Sequence, residues 1–233
     1  MNKQIFSFIS LTILIVSMFT SCNKNDDDYE YVVSGTIPSG NWSEVSVSYD
    51  IGKTWAATVP VSTVATLKQF KIKLPVPKSE LKPITDSLLG ILDIVSAYDN
   101  LALPNVFKTI LSNGLSGLSD IITPSNENSK ASVAVFYARN NDLQAMIAQF
   151  SITTMSIVQY MYVDTDVNVN GKFDQIIEVE ETSTPVKLEY SMQLKKGWNT
   201  VLVSINATDA ISGAVTMTTK TAAVPTGSVW TTF

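Results

Sequence analysis

The sequence predicts a mainly β protein, an antiparallel β-sandwich-like domain with a helical insertion over about residues 79–122. Two observations predict it. Apolar and polar residues alternate in several short segments on both sides of the insertion, and residues 186–194 are the clearest case. Apolar residues recur at helical spacing only within residues 78–122. Alternation of apolar and polar residues indicates strands with one buried and one solvent-exposed face, whereas apolar residues spaced three and four positions apart indicate helices.

Four segments carry the alternation: 45–50, 69–74, 186–194 and 201–205. Between the last two, the sequence KKGWN at 195–199 supplies a glycine turn. We therefore expect these two segments to pair directly as a hairpin. Strands before and after residues 79–122 favour one domain over residues 31–233, and a two-domain split near Pro124 is the alternative.

The helical region has two apolar stripes. The first consists of Ile84, Leu88, Ile91, Leu92 and Val95. Pro83 suits the first turn of this helix, with Ser79 or Thr85 as its cap. The second stripe occupies residues 106–111, and Gly114 can end it. Such stripes usually cap an open sheet. A lipid-binding cavity is the alternative.

The N-terminus has the order of a secretory signal over residues 1–21. Lys3 precedes an apolar stretch at 5–19, which is shorter than the ~20 residues of a membrane-spanning helix. Small residues Thr20 and Ser21 then precede Cys22, the only cysteine in the chain. An uncleaved membrane anchor is the alternative, but a plain anchor does not require the cysteine.

The residues Phe19-Thr20-Ser21-Cys22 resemble a bacterial lipobox, although Phe19 stands where leucine is commoner. The resemblance implies cleavage before Cys22, a diacylglycerol thioether on its sulfur and an acylated amino group. The acidic run at 26–28 resembles the export signal of Bacteroidota surface lipoproteins. Residues 22–30 also read as a flexible, acylated tether. Together these features imply an outer-membrane protein facing the exterior.

Three further segments are similar to Bacteroidota surface lipoproteins of unknown function. They are YVVSG near the start, YMYVDTDVNVNG in the middle and LKKGWNTVLVS near the end. This resemblance implies the location and a β-rich fold, and it brings no catalytic residues with it.

Composition excludes several functions. The chain has 16 Lys and Arg against 21 Asp and Glu. Without Lys3 the mature balance is 15 − 21 = −6, which disfavours nucleic acid as a partner. The chain has no histidine, so Ser-His-Asp catalysis and His-ligated zinc are excluded. Paired carboxylates remain the main enzymatic option.

Residues 160–180 are predicted to form a hairpin. A two-residue turn at Asn170 and Gly171 would scramble the buried face. A three-residue loop of 169–171, with Gly171 in the left-handed conformation, pairs Val167 with Phe173 instead. It also sets Asp166 opposite Asp174, where like charges repel.

The same residues resemble the start of an EF-hand calcium loop, D-x-N-x-N-G at 166–171. Position twelve is Ile177 instead of glutamate, so the sequence favours a solvated turn, and a simpler oxygen-ligand Ca²⁺ site is the alternative. The candidate ligands of that site are Asp164, Asp166, Asn168, Asn170 and Asp174. An acid–base carboxylate pair is a third interpretation.

The four tryptophans are expected mainly to pack in the core or against turns. Trp42 and Trp198 stand beside turn residues, so they are the better candidates for exposure and for stacking on sugar rings. The predicted role is a non-catalytic binding or structural component of the cell envelope. Its candidate partners are a surface glycan or another envelope protein. The alternative role is a carboxylate-dependent, glycosidase-like surface hydrolase.

Overall fold

The computed structural model confirms a mainly β, sandwich-like fold, with one short α-helix among the described residues. It describes residues 31–37, 42–49, 55–64, 67–96, 119–139, 143–150, 154–179, 182–207 and 214–232. The predicted signal at 1–21, Cys22 with the tether at 22–30, and the second helical stripe at 106–111 lie outside the described residues. Those expectations and the bounds of the single domain stay predictions.

The strands form a small sheet and a large sheet. The small sheet consists of β1 (Tyr31–Ile37), β5 (Leu67–Leu74) and β4 (Ser62–Val64), in that order. The strands of the large sheet are β2 (Glu44–Ser48), β3 (Trp55–Pro60), β6 (Lys82–Pro83), β7 (Thr123–Pro124), β8 (Lys130–Arg139), β9 (Leu143–Phe150), β10 (Thr154–Val163), β11 (Val167–Val179), β12 (Thr182–Leu194), β13 (Gly197–Ala207), β14 (Val215–Thr221) and β15 (Val229–Thr232). Their order is β3-β2-β8-β9-β10-β13-β14-β12-β11-β7, and in addition β15 pairs with β9 and β6 pairs with β8.

The large sheet is buried on both faces over its central strands. Along β8, Val133 and Val135 face one core cluster, whereas Ala134 and Phe136 face the other. The small sheet covers the second cluster with residues such as Ile72. This arrangement makes the sandwich, and it explains why β8 is apolar on both faces.

Double coverage also explains one deviation from the predicted alternation. Ser46 and Ser48 of β2 were predicted to be exposed to solvent, but both are buried. The Ser46 hydroxyl lies 2.8 Å from the Thr58 hydroxyl, so its burial leaves it hydrogen-bonded. In β5 and β12 the prediction is confirmed. There, Ile72 and Leu188 are buried while the intervening polar residues are exposed.

The predicted hairpin of 186–194 with 201–205 is wrong. Strands β12 and β13 both exist, but β14 lies between them, parallel to β12 and antiparallel to β13. The turn itself is present, with Gly197 at a φ of 102°. The Asn199 side chain closes this turn locally. Its Nδ2 donates to the Lys195 carbonyl at 2.7 Å, and its Oδ1 accepts from the Lys195 N–H at 2.9 Å. A turn held by a side chain does not require its two strands to adjoin.

The first helical stripe forms α1 (Ile84–Ser96), and a 3₁₀ turn follows at Ser119–Ile121. Neither predicted cap is used at its start. The Ile84 N–H donates to the Ser129 carbonyl at 3.1 Å, and Thr85 lies inside the helix. Ile84, Leu88 and Ile91 are buried against the large sheet, as expected for a capping helix. Among the described residues, no helix has the length and apolar character needed to span a membrane.

Candidate functional site

The predicted hairpin around Gly171 is not formed. β10 ends at Val163 and pairs with β13, β8 and β9, whereas β11 runs straight through Gly171 and pairs with β12. Both registers considered from the sequence are therefore wrong. The placement of Val167 on a buried face was correct, whereas Val169, expected in the loop, is also buried. The partner was not, because a period of two identifies a buried face and does not identify the neighbouring strand.

Glycine occupies position 171 for a different structural reason. It lies inside β11 opposite Tyr190, and the described glycines with positive φ are Gly197 and Gly227. A Cβ at Gly171 would lie 2.5 Å from the Ile121 carbonyl oxygen. Glycine here allows the 3₁₀ turn to approach the strand closely.

The predicted calcium ligands are dispersed. The Asp164 carboxylate accepts the Lys130 N–H at 2.9 Å, and Asp174 pairs with Lys187 at 3.0 Å. Asn168 and Asn170 lie on β11 opposite the segment at 123–125. Asp166 and Asp174 are eight residues apart on an extended chain, about 26 Å at 3.3 Å per residue. They cannot share a cation or act as an acid–base pair.

Asp166 belongs to a turn contact instead. Its carboxylate accepts hydrogen bonds from Lys195 Nζ and from the Lys196 N–H, each at 2.8 Å. The Lys195 bond first, and the Lys196 bond second, hold the pKa of Asp166 below its usual value. Within the part of the chain described, no three Asp, Glu, His or Cys residues lie close enough to hold a metal ion.

The choice of Trp42 and Trp198 as candidates for exposure was wrong. Their exposed fractions are 6% and 7%, because both side chains face the core between the two sheets. Trp198 contacts Tyr31, Tyr49 and Tyr162, with ring centroids 5.6 to 6.5 Å away. A neighbouring turn therefore does not expose these rings, and the packing interpretation is correct for both.

The exposed tryptophan is Trp55, which sequence reasoning did not single out. It begins β3, which ends the order of the large sheet, and its exposed fraction is 37%. The Arg139 guanidinium carbon lies 4.9 Å from the centre of its ring, and Tyr137 packs against it edge-on at 5.2 Å. The segment WAATVP lacks clear alternation, and this was the available sign of a partly covered edge strand.

Polar side chains surround Trp55 on the same face. Arg139 also pairs with Glu44 at 3.6 Å, and Gln144 Nε2 donates to the Tyr137 hydroxyl at 3.5 Å. We call these five residues, Trp55, Tyr137, Arg139, Glu44 and Gln144, the Trp55 surface. It combines the apolar Trp55 ring with a cationic donor, an anionic acceptor and a neutral amide. This set of groups is suited to hydroxylated ligands.

A second feature is a groove of about 380 Å³ beside β11 and β12. Its lining includes Lys172 and Glu189, which form an ion pair at 3.4 Å, together with Ile121 and Thr123. Tyr190 also lines it, and its buried hydroxyl has no hydrogen-bond partner among the described residues. Burial raises the pKa of this Tyr190 hydroxyl above its usual range.

Comparison with known protein families, with curated proteins and with solved structures found no match to this chain.

Proposed function

We propose that the protein is an outer-membrane lipoprotein, anchored through acylated Cys22 and facing the exterior, that binds carbohydrate at the Trp55 surface without catalysis. The exposure of Trp55 among hydrogen-bonding side chains is the observation that carries the binding role. The lipobox at 19–22 carries the location. Two or more acyl chains give stable anchoring, since each buried CH₂ contributes ~0.8 kcal/mol.

The Trp55 surface suits a sugar ring for two reasons. An indole offers a flat apolar area against which the C–H face of a pyranose can pack. Arg139 supplies donors, while Glu44 supplies acceptors and Gln144 supplies both. Because Arg139 and Glu44 balance each other in charge, an uncharged saccharide is the favoured ligand class.

Binding is proposed in preference to hydrolysis on electrostatic grounds. A glycosidase needs one carboxyl with a raised pKa to act as general acid. Asp166 has a lowered pKa because lysine donors stabilise its ionised form. Asp174, Glu189 and Glu44 each lie in an ion pair with a neighbouring lysine or arginine.

The anchor is tested by metabolic labelling with palmitate. The wild-type chain should incorporate label and fractionate with outer membrane, whereas Cys22→Ala should do neither. Equal labelling of the two chains would exclude Cys22 as the acylation site.

Carbohydrate binding is tested by a glycan array and affinity gels with the intact protein. Trp55→Ala should abolish retention on any gel that retards the wild type, and Arg139→Gln should weaken it. Val229→Ala is the control, because Val229 is exposed and pairs with Ala148, four residues along β9 from Gln144 of the Trp55 surface. Absence of retention on every polysaccharide, or unchanged retention of Trp55→Ala, would rule out this site.

A further inference from the structure

The small sheet has one buried face and one exposed face. Its buried face carries residues such as Ile72, which pack in the core between the two sheets. Side chains alternate along a strand, so the residues between the buried ones project from the opposite side. The exposed residues on that side of β1 and β5 are Val32, Ser34, Gln69, Lys71 and Lys73. We call these five residues the outer face of the small sheet.

The outer face is basic in a chain that is acidic as a whole. Strands β1, β4 and β5 contain three lysines and no aspartate or glutamate, whereas the chain has a formal net charge of −5. Lys68 Nζ donates to the Trp42 carbonyl at 2.6 Å, so one of these lysines is held by the protein. Lys71 is exposed, and no described residue forms an ion pair or a hydrogen bond with its side chain. The outer face therefore favours an anionic partner.

The outer face also lies where the chain enters the domain from the proposed anchor. β1 begins at Tyr31, nine residues after Cys22, a span of about 30 Å at most for an extended chain. Val32 follows directly and is 41% exposed, and Val76, two residues past the end of β5, is 48% exposed. Exposed apolar side chains beside lysines are typical of a surface that lies at a membrane interface. There the apolar groups enter the headgroup region, and the lysine stems extend towards the phosphates.

We propose that the outer face of the small sheet lies against the membrane and contacts the phosphate groups of anionic lipids. This inference rests on the proposed lipid anchor at Cys22. Because the anchor supplies the affinity, the outer face has only to select one orientation of a domain that is already held close to the bilayer. A lysine near an anionic surface favours contact about five-fold, so Lys71 alone biases the orientation by that factor. Burial of Val32 in the headgroup region adds to this bias.

This orientation directs the Trp55 surface away from the membrane. The small sheet covers the core cluster that Phe136 of β8 faces. Tyr137, the next residue of β8, belongs to the core cluster on the other side of the large sheet, and Trp55 packs against it. The outer face and the Trp55 surface therefore lie on opposite sides of the large sheet, and contact of the first with lipid leaves the second open to the exterior.

Photo-cross-linking to lipid tests this orientation. The acylated protein is reconstituted in vesicles of phosphatidylglycerol and phosphatidylcholine, with p-benzoylphenylalanine in place of Ser34. The matched control carries the same group in place of Val229, which is exposed and precedes the buried Trp230 of β15. Both proteins should float with the vesicles, and position 34 should cross-link to lipid about five-fold more than position 229. A protein that floats but cross-links equally at both positions contradicts the outer face alone. A protein that does not float contradicts the Cys22 anchor and, with it, this inference.

Charge variants supply an independent readout. Lys71→Glu should lower cross-linking from position 34 at least about five-fold, whereas Lys220→Glu, an equal charge change at an exposed position of β14, should not. Equal effects of the two variants would overturn the proposal. The acidic run at 26–28 is the rival occupant of the outer face. In that case cross-linking would be low in the parent and would rise when the three aspartates are replaced by asparagine, which also contradicts contact with lipid.

Discussion

Replacing Gly35 with alanine tests how closely the small sheet packs on the large one. A Cβ at this position would lie 2.0 Å from Nε1 and 2.2 Å from Cδ1 of Trp230. The Trp230 ring cannot easily retreat, because Phe70 and Phe136 pack against it edge-on with centroids 4.9 and 5.2 Å away. The added methyl group must therefore displace β1 from β15 or force the indole from its position.

Two effects of opposite sign decide the magnitude. Alanine reduces the conformational entropy of the unfolded chain, which by itself stabilises by about 0.4–1 kcal/mol. Overpacking a core costs about 1–3 kcal/mol, and a 2 Å approach to a confined ring belongs at the upper end. We expect Gly35→Ala to lower the free energy of unfolding by about 2 kcal/mol. For a domain of this size that lowers Tm by about 4–8 °C.

Urea unfolding and thermal melts followed by circular dichroism measure this loss. Gly90→Ala is the control, because a Cβ at Gly90 meets nothing within 4 Å and Gly90 lies inside α1. That variant should gain about 0.5–1 kcal/mol, since alanine is the better helix former. In combination with Trp230→Phe, which vacates space, Gly35→Ala should cost less, with a coupling of about 1 kcal/mol. A Gly35→Ala protein as stable as the wild type would refute the packing argument.

Three further outcomes are expected. Gly171→Ala should be less stable than the wild type by about 1–3 kcal/mol in urea unfolding, because its methyl group would meet the Ile121 carbonyl oxygen at 2.5 Å. Asp166 has a lowered pKa in the folded state, so its contribution is present above its unfolded pKa of about 3.9 and is lost as pH falls through the folded value. Asp166→Asn should thus flatten the stability profile below about pH 4, and an unchanged acid limb would contradict the Lys195 contact. Millimolar Ca²⁺ should leave Tm unchanged because the oxygen ligands are dispersed, and a rise in Tm that Asp166→Asn removes would reinstate the cation site.

The fold class could be predicted because alternation is a local property of the chain. Phe70, Ile72 and Leu74 alternate with lysine and glutamine, and the structure buries the first set and exposes the second. The first stripe of the helical insertion was visible for the same reason, and its helix begins at Ile84. Pro83 was expected in the first turn, but it lies in β6 directly before the helix. Such patterns depend on neighbouring residues along the chain, so they need no knowledge of tertiary contacts.

Strand pairing could not be predicted, because it depends on contacts far apart in sequence. Gly171 has the sequence context of a tight turn, yet the Ile121 carbonyl explains its presence inside β11. The KKGWN turn links two strands that β14 separates in space. In both cases local turn chemistry was identified, and the partner of each strand was set by burial of the whole sheet.

The same distinction determines which tryptophan can meet a ligand. Trp198 follows a turn but opens β13, a strand paired on both sides and covered by the small sheet, so its ring is buried. Trp55 opens β3, which ends the sheet order, and its ring keeps an exposed area beside Arg139. In this protein the exposure of an aromatic side chain depends on whether its strand lies at the edge or in the centre of the sheet. No local sequence pattern encodes that position. The Trp55 surface therefore lies near β3, at one end of the strand order, and the doubly covered centre of the large sheet supports it.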